Sequence, residues 1–534
     1  MNSRRHLLIY RVTLTAGCAV LLAFGSGNGT GTGNSACGDP QEVEAKLPEG
    51  ALLRVGSFGD ATDTYGVYDV AFSGNGDYLA TRTSDQIVHI WDARNGKPMC
   101  DIDGHEGRVT ALGFTSDGQT IVTASSGEDE RIAFWDVNTG ELVRQIKGGA
   151  AIISFREDGK RMLAVEGKQH RLFDTADGRR IDQGSWSLQP SENCVNISQD
   201  GKLLAIYNQL HGSRGRHWIS IRNLESGEQK ILRNLTAAPV TGRFSPDGKW
   251  LLVCCRRQNH AVLWRLEQAE QPLTLSGHTE PVQSIGFSPD GWLLATTSWD
   301  GTVRVWEVIT GRPIVTLSGH LDRVCAVAFS HDSRRLASGA SGRKDKSTIV
   351  WDVNRAIFGH PDPDQQKPVD PPQIWERMAS VEAADAYQAM STLIASPENA
   401  VTFLAGHVDE AATGTDIARI KQLVQELNDD RFLVREAAHS ELLKMRSSAD
   451  AILRKALNET DSAEVHYRIT RILAAPIDKS NLSDADLRRM YRVVHALELI
   501  GSEAATVPLT KLADAHPEAD IMQSAQAALQ RLNR

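Results

Sequence analysis

Seven tight-turn signals at near-constant spacing, a second marker that keeps step with them, and a change of hydrophobic period beyond residue 373 predict a multidomain chain, an all-β ring of seven repeated sheets followed by an all-α domain. At 534 residues the chain exceeds what one core ordinarily supports, so two or three domains are the expectation before any motif is read. Its 41% apolar and 23% charged residues lie in the globular range, and 44 glycines favour many turns. A formal charge of −9 argues against a general nucleic-acid binder, which needs a basic stripe.

The first residues read as an address. Arg4 and Arg5 precede an apolar stretch from Val12 to Phe24, which suits a signal h-region and falls short of the roughly 20 residues that span a bilayer. The run Ser3-Arg4-Arg5-His6-Leu7-Leu8 also resembles a bacterial twin-arginine export signal. Residues 1–24 are therefore expected to be a signal peptide, and the mature protein to be extracytoplasmic, periplasmic or secreted. Membrane association is expected only through an uncleaved signal, or through a lipid on Cys18, which follows Ala16-Gly17. Residues 25–48 form a flexible tether, Gly/Ser/Thr/Asn-rich up to Gly38. Cysteines 18, 37, 100, 194, 254, 255 and 325 follow no metal-like spacing and suit buried small hydrophobes better than a metal or disulfide role.

Residues 49–358 carry the repeat. An alternating apolar run ends in a hairpin turn at Asn75-Gly76, Asp117-Gly118, Asp158-Gly159, Asp200-Gly201, Asp247-Gly248, Asp290-Gly291 and Asp332-Ser333, in steps of 42, 41, 42, 47, 43 and 42 residues. Glycine accepts positive φ without steric cost, so each dipeptide marks a strand-turn-strand unit. The second marker is Trp91-Asp92, Trp135-Asp136, Phe173-Asp174, Arg222-Asn223, Trp264-Arg265, Trp306-Glu307 and Trp351-Asp352.

Units of this length with G-H dipeptides (Gly104-His105, Gly277-His278, Gly319-His320) and W-D dipeptides resemble the WD-repeat family, which implies a seven-bladed β-propeller. The resemblance implies a hydrogen-bonded His, Ser/Thr, Asp and Trp in each blade. Carried onto this chain, these are His278, Ser298, Asp300 and Trp306 in the sixth unit. Partial sets are Thr83, Asp85 and Trp91 in the first, His105, Asp129 and Trp135 in the second, and His320, Asp345 and Trp351 in the seventh. Recurrence at the repeat period suits a scaffold and not a single active site or metal centre. The resemblance also implies that the residue before each such Asp (Ser84, Glu128, Trp299, Lys344) faces the surface where partners dock, and Trp299 stands out because tryptophan is enriched at binding hot spots. Packing of Trp299 against a neighbouring loop is the alternative.

The seventh unit offers three strands before Gly359-His360-Pro361 ends the pattern. The orphan segment Ala51-Leu52-Leu53-Arg54-Val55-Gly56 is expected to complete its sheet and leave no long free edge.

Residues 359–373 form a Pro-rich linker, and a helical domain is expected over 374–534. Ile417, Ile420, Leu423, Val424 and Leu427 share one helix face, as do Val434, Ala437, Ala438, Leu442, Leu443 and Met445. The stretch Asp430 to Leu473, with Val434-Arg435-Glu436-Ala437-Ala438, resembles HEAT-like helical repeats. The whole arrangement looks like exported planctomycete-type WD-repeat proteins, an impression carried mostly by Trp375 to Met390.

No nucleophile elbow, metalloprotease, phosphate-loop or dinucleotide motif occurs, and neither cofactor nor metal is expected. A basic surface is the remaining binding feature. His211-Gly212-Ser213-Arg214-Gly215-Arg216-His217-Trp218 lies in the fourth unit, Arg256-Arg257 at the corresponding place in the fifth, and adjacent blades would set Arg214, Arg216, Arg256 and Arg257 side by side. The expected function is a non-enzymatic scaffold binding other proteins, with a small-ligand, hydrolase or lyase role for the central channel as the rival.

Overall fold

The computed structural model describes residues 47–533 apart from 59–65, 149–151, 156–160, 183–191, 210–216, 360–370, 445–448, 475–483 and scattered single or paired positions. Residues 1–24, the tether up to residue 46 and most of the linker lie outside this description. The chain divides into two compact units at Gly359.

Among the described residues the first unit contains seven four-stranded antiparallel sheets, six of them built from consecutive strands. They are Val67–Phe72 to Pro98–Ile102, Arg108–Phe114 to Leu142–Lys147, Ile152–Phe155 to Arg180–Asp182, Glu192–Ile197 to Gln229–Leu235, Pro239–Phe244 to Leu273–Ser276, and Val282–Phe287 to Pro313–Ser318. The seventh combines Val324–Phe329, Arg335–Ala340 and Asp345–Asp352 with Ala51–Phe58 from the other end of the unit. Four-stranded antiparallel sheets of this kind fit the blades of a β-propeller. Val350 pairs with Leu53 and Asp345 with Phe58, as the orphan segment led us to expect. Arg335 adds a second tie, donating to the carbonyls of Gly76 (2.5 Å) and Ala93 (3.1 Å) in the first sheet.

Local chemistry explains the repeated turns. In the fifth sheet the Ser245 hydroxyl donates to Asp247 Oδ1 (2.5 Å) and accepts from Trp250 N–H, while Asp247 accepts from Lys249 N–H. The same pattern recurs around Ser198, Ser288 and Ser330. The side chains thus satisfy the turn's own backbone groups. Glycine follows the acidic residue at φ near +70°, and Ser333 takes the same conformation at φ 60° in the last turn. Between sheets the core is apolar, with Trp264, Trp306 and Trp351 fully buried.

A short helix, Val353–Phe358, closes this unit, capped by Asp352, whose side chain accepts from Arg355 N–H.

The second unit is helical among its described residues. Its first helix, Pro371–Arg377, begins three residues earlier than the expected boundary, proline being suited to a first helical turn. Arg488, Arg489 and Arg492 of helix Asp484–Ile500 donate to the carbonyls of Ala379, Trp375, and Met378 with Ser380, so one helix caps the end of another. Ile420, Leu423 and Leu427 meet Ala438 and Leu442 in a buried cluster with helix Ala463–Ala474. Ala437, assigned to that face from spacing, is exposed, and Val434 is only half-buried. The apolar stripe of helix Phe432–Lys444 is therefore narrower than the spacing suggested.

Candidate functional site

Among the described residues, three sheets each carry a buried hydrogen-bond chain of the same kind. In the sixth sheet the Trp306 indole N–H donates to the Thr296 hydroxyl (2.9 Å), which lies 2.8 Å from His278 Nε2. His278 Nδ1 is 2.8 Å from Asp300 Oδ2, and that carboxylate also accepts from Thr279 N–H. The hydroxyl, already accepting from the indole, has one hydrogen left to give. It points that hydrogen at Nε2, which puts the imidazole proton on Nδ1 facing Asp300 and leaves the ring neutral. Burial pushes the His278 pKa down in the same sense, outweighing its bond to Asp300. For Asp300, burial pushes the carboxyl up, but hydrogen bonds from Thr302 and His278 outweigh it and hold the pKa below the usual range.

Trp135, Thr123, His105 and Asp129 repeat the chain in the second sheet, with His105 likewise lowered by burial. Trp351, Ser338, His320 and Asp345 repeat it in the seventh, where His320 and Ser347 hold Asp345 low against burial.

Two assignments need correction. Ser298 does not join the chain; its hydroxyl donates to the Glu280 carbonyl, and Thr296 takes the place expected of it. In the first sheet Trp91 donates to Thr81 (2.9 Å), whereas Thr83 bonds the Ile87 carbonyl. Asp85 lies outside the described residues. Residues two apart share one face of a strand, so the sequence offered two hydroxyls with equal orientation, and only the register (Leu294 opposite Trp306) selects between them. In the fifth sheet Val253 occupies the hydroxyl position, and the buried Trp264 indole N–H has no hydrogen-bond partner.

The loops above these chains carry the surface candidates. Trp299 is half-buried rather than projecting, because the Arg323 guanidinium of the seventh sheet lies 4.4 Å over its ring. Lys344, Ser84, Arg256 and Arg257 are exposed. Arg257 has φ 58°, uncommon for a residue other than glycine. Glu128, Arg214 and Arg216 lie outside the described residues, so their placement beside Arg256 and Arg257 is not described. Trp218, expected in a loop, belongs to strand His217–Asn223, pairs with Asn208 and is half-buried.

Sequence reasoning missed Leu321, Asp322 and Arg323, although the preceding Gly319-His320 marks the crossover that carries them. It also missed a charged group inside the ring. Asp69 on the first sheet's inner strand faces Arg82 (3.9 Å) and interacts electrostatically with Arg243 on the inner strand of the fifth. The interaction with Arg243 thus links the first strands of two sheets that are not consecutive in the chain. Burial pushes the Asp69 carboxyl up to about 6 despite both guanidinium groups.

Four segments, residues 54–92, 96–136, 269–307 and 311–352, match the WD40 family (WD domain, G-beta repeat). They cover the first, second, sixth and seventh sheets, where the Trp-to-hydroxyl bond occurs. Among curated proteins the chain is 27% identical over 131 residues to eukaryotic translation initiation factor 3 subunit I of Aspergillus oryzae, covering 24% of this chain and 38% of that protein. It is 26% identical over 228 residues to the WD repeat-containing protein WDS homolog of Arabidopsis thaliana, covering 40% and 41%. With WD repeat-containing protein AAC3 of Dictyostelium discoideum it shares 23% identity over 243 residues, covering 41% and 50%. The chain thus spans half or less of the length of these relatives. It carries WD repeats, and both comparisons support a WD-repeat family.

Proposed function

We propose that this chain is a non-enzymatic protein-interaction scaffold of the extracytoplasmic compartment, a closed seven-bladed ring whose loop face receives partners and whose HEAT-like helical unit offers a second surface. The observation that carries this is the use of the His, Thr/Ser, Asp and Trp groups as buried struts beneath exposed loops. Side chains that catalysis would need are spent on fixing loop positions, which is what a binding surface requires. WD repeats in the relatives named above support a scaffold role. The export reading rests on residues 1–24.

The test is purification of tagged residues 38–534 from the native envelope fraction, beside a variant with Trp299, Arg256, Arg257 and Lys344 replaced by alanine. A stoichiometric partner recovered with the parent and lost in the variant is the expected result. If the purified chain instead turns over a small molecule and holds no partner, the scaffold proposal fails. Export is tested separately by fusing residues 1–48 to a reporter active only outside the cytoplasm; an inactive fusion removes the compartment from the proposal.

A further inference from the structure

We propose that the loop face over the fifth to seventh blades is a docking surface for an acidic peptide segment bearing an exposed aliphatic or aromatic side chain. The inference rests on the scaffold reading above and specifies the chemistry of the partner.

The loops between second and third strands, and the crossovers into each inner strand, emerge at one end of the ring. Backbone contacts knit them together: Arg256 N–H donates to Ala238, Val282 N–H to Gln258, Trp299 N–H to Pro281, and Ser341 N–H to Arg323. The fifth blade's loop therefore reaches the sixth blade, and Arg323 of the seventh covers Trp299 of the sixth.

Five exposed cations lie on this arc: Arg256, Arg257, Arg323, Arg343 and Lys344. The acids of the same loops are mostly engaged inward. Asp300 takes His278, Thr279 N–H and Thr302, Asp345 takes His320, Leu321 N–H and Ser347, and Asp322 accepts from the N–H groups of Arg323 and Lys344. Glu280 is the remaining exposed carboxylate on these loops among the described residues. On a chain of net charge −9, this arc is a local reversal of sign, and it selects an acidic partner.

Two features make the arc more than a set of solvated charges. Leu321 is 57% exposed beside it, and the Trp299 ring gives the exposed Arg323 guanidinium a seat within the arc. The Arg323 guanidinium, 4.4 Å over the Trp299 ring, is restrained there as a cation that a carboxylate can pair with. Arg257 is meanwhile kept in a left-handed conformation by the Gln258 N–H to Cys255 carbonyl bond, a strained turn that sets two arginines outward.

The experiment is selection of a random displayed peptide library against residues 38–534, which contain every described residue. Selected peptides are then titrated by fluorescence anisotropy against the parent, R256E/R257E and R323E/K344E. We expect enrichment of Asp and Glu around one Leu, Phe or Trp, and affinity falling by at least about tenfold in each charge-reversal variant and at raised salt. The milder pair R256Q/R257Q, with thermal unfolding matching the parent, guards against a folding artefact and should show a smaller loss. Neutral or basic selected peptides, or affinities unmoved by charge reversal, overturn the acidic-partner inference and leave the scaffold reading standing. A library that yields no binder overturns both.

Discussion

The Thr296 hydroxyl is the acceptor for one buried group and the partner of another, while Ser298, two residues on, bonds only backbone groups, the Glu280 carbonyl and Asp300 N–H, at part-buried positions. Replacing Thr296 by valine keeps the shape and strands the Trp306 N–H and His278 Nε2, at a cost of about 2–4 kcal/mol. Ser298→Ala should cost nearer about 1 kcal/mol. Urea unfolding compares them directly, and equal midpoints would remove Thr296 from its role as a strut. The fifth blade offers the reverse experiment. Val253 stands where the hydroxyl belongs, beneath an indole N–H with no partner, so Val253→Thr should raise stability by about 0.5–1.5 kcal/mol if the new hydroxyl reaches Trp264. A loss greater than about 1 kcal/mol would mean that burying the hydroxyl outweighs the bond it makes. The tryptophans were legible in the sequence because each sits at the repeat period. The hydroxyls were not, because strand alternation fixes a face and leaves the position along it undetermined.

At the scale of elements, six of the seven turn dipeptides fall on described hairpin turns, Asp158-Gly159 lying outside the described residues, and the missing fourth strand of the last sheet pointed to Ala51–Phe58. Both were legible for one reason: an unpaired strand edge or an unsatisfied turn is costly, so its partner must exist elsewhere in the chain. Arg335 was not legible, since its acceptors, the carbonyls of Gly76 and Ala93, belong to backbone and carry no side-chain signal. Removing the closing strand should open the seventh blade more than it disturbs the others. A chain beginning at residue 59 is expected to lose protease resistance first around Arg343 to Lys346 and to unfold at a lower temperature than one beginning at residue 47. Identical melting and cleavage patterns would show that Arg335 and the inner-strand contacts close the ring without that strand.

Across the whole molecule, the buried ionisable groups make opposing contributions to acid stability. His105 and His278 have pKa values lowered by burial, so the unfolded chain takes up protons near 6.5 before the folded one does. Their contribution is complete above that pH and is lost as pH falls. His516 in the helical unit, pushed down to about 4 by burial, acts in the same sense. Asp300 and Asp345, held low, withdraw their contribution only at still lower pH, below the ordinary carboxylate range. Asp69 runs the other way: burial raises it to about 6, so its contribution is present below the ordinary carboxylate pKa and lost as pH rises through about 6. Between pH 7 and 5 the Asp69 carboxyl therefore offsets part of what the tetrad histidines lose. Asp69→Asn cannot take up that proton, so its melting temperature should fall more steeply over this range than that of the parent. A parallel or shallower fall would mean that Asp69 stays ionised throughout, with the attraction of Arg82 and Arg243 strong enough to overcome its burial.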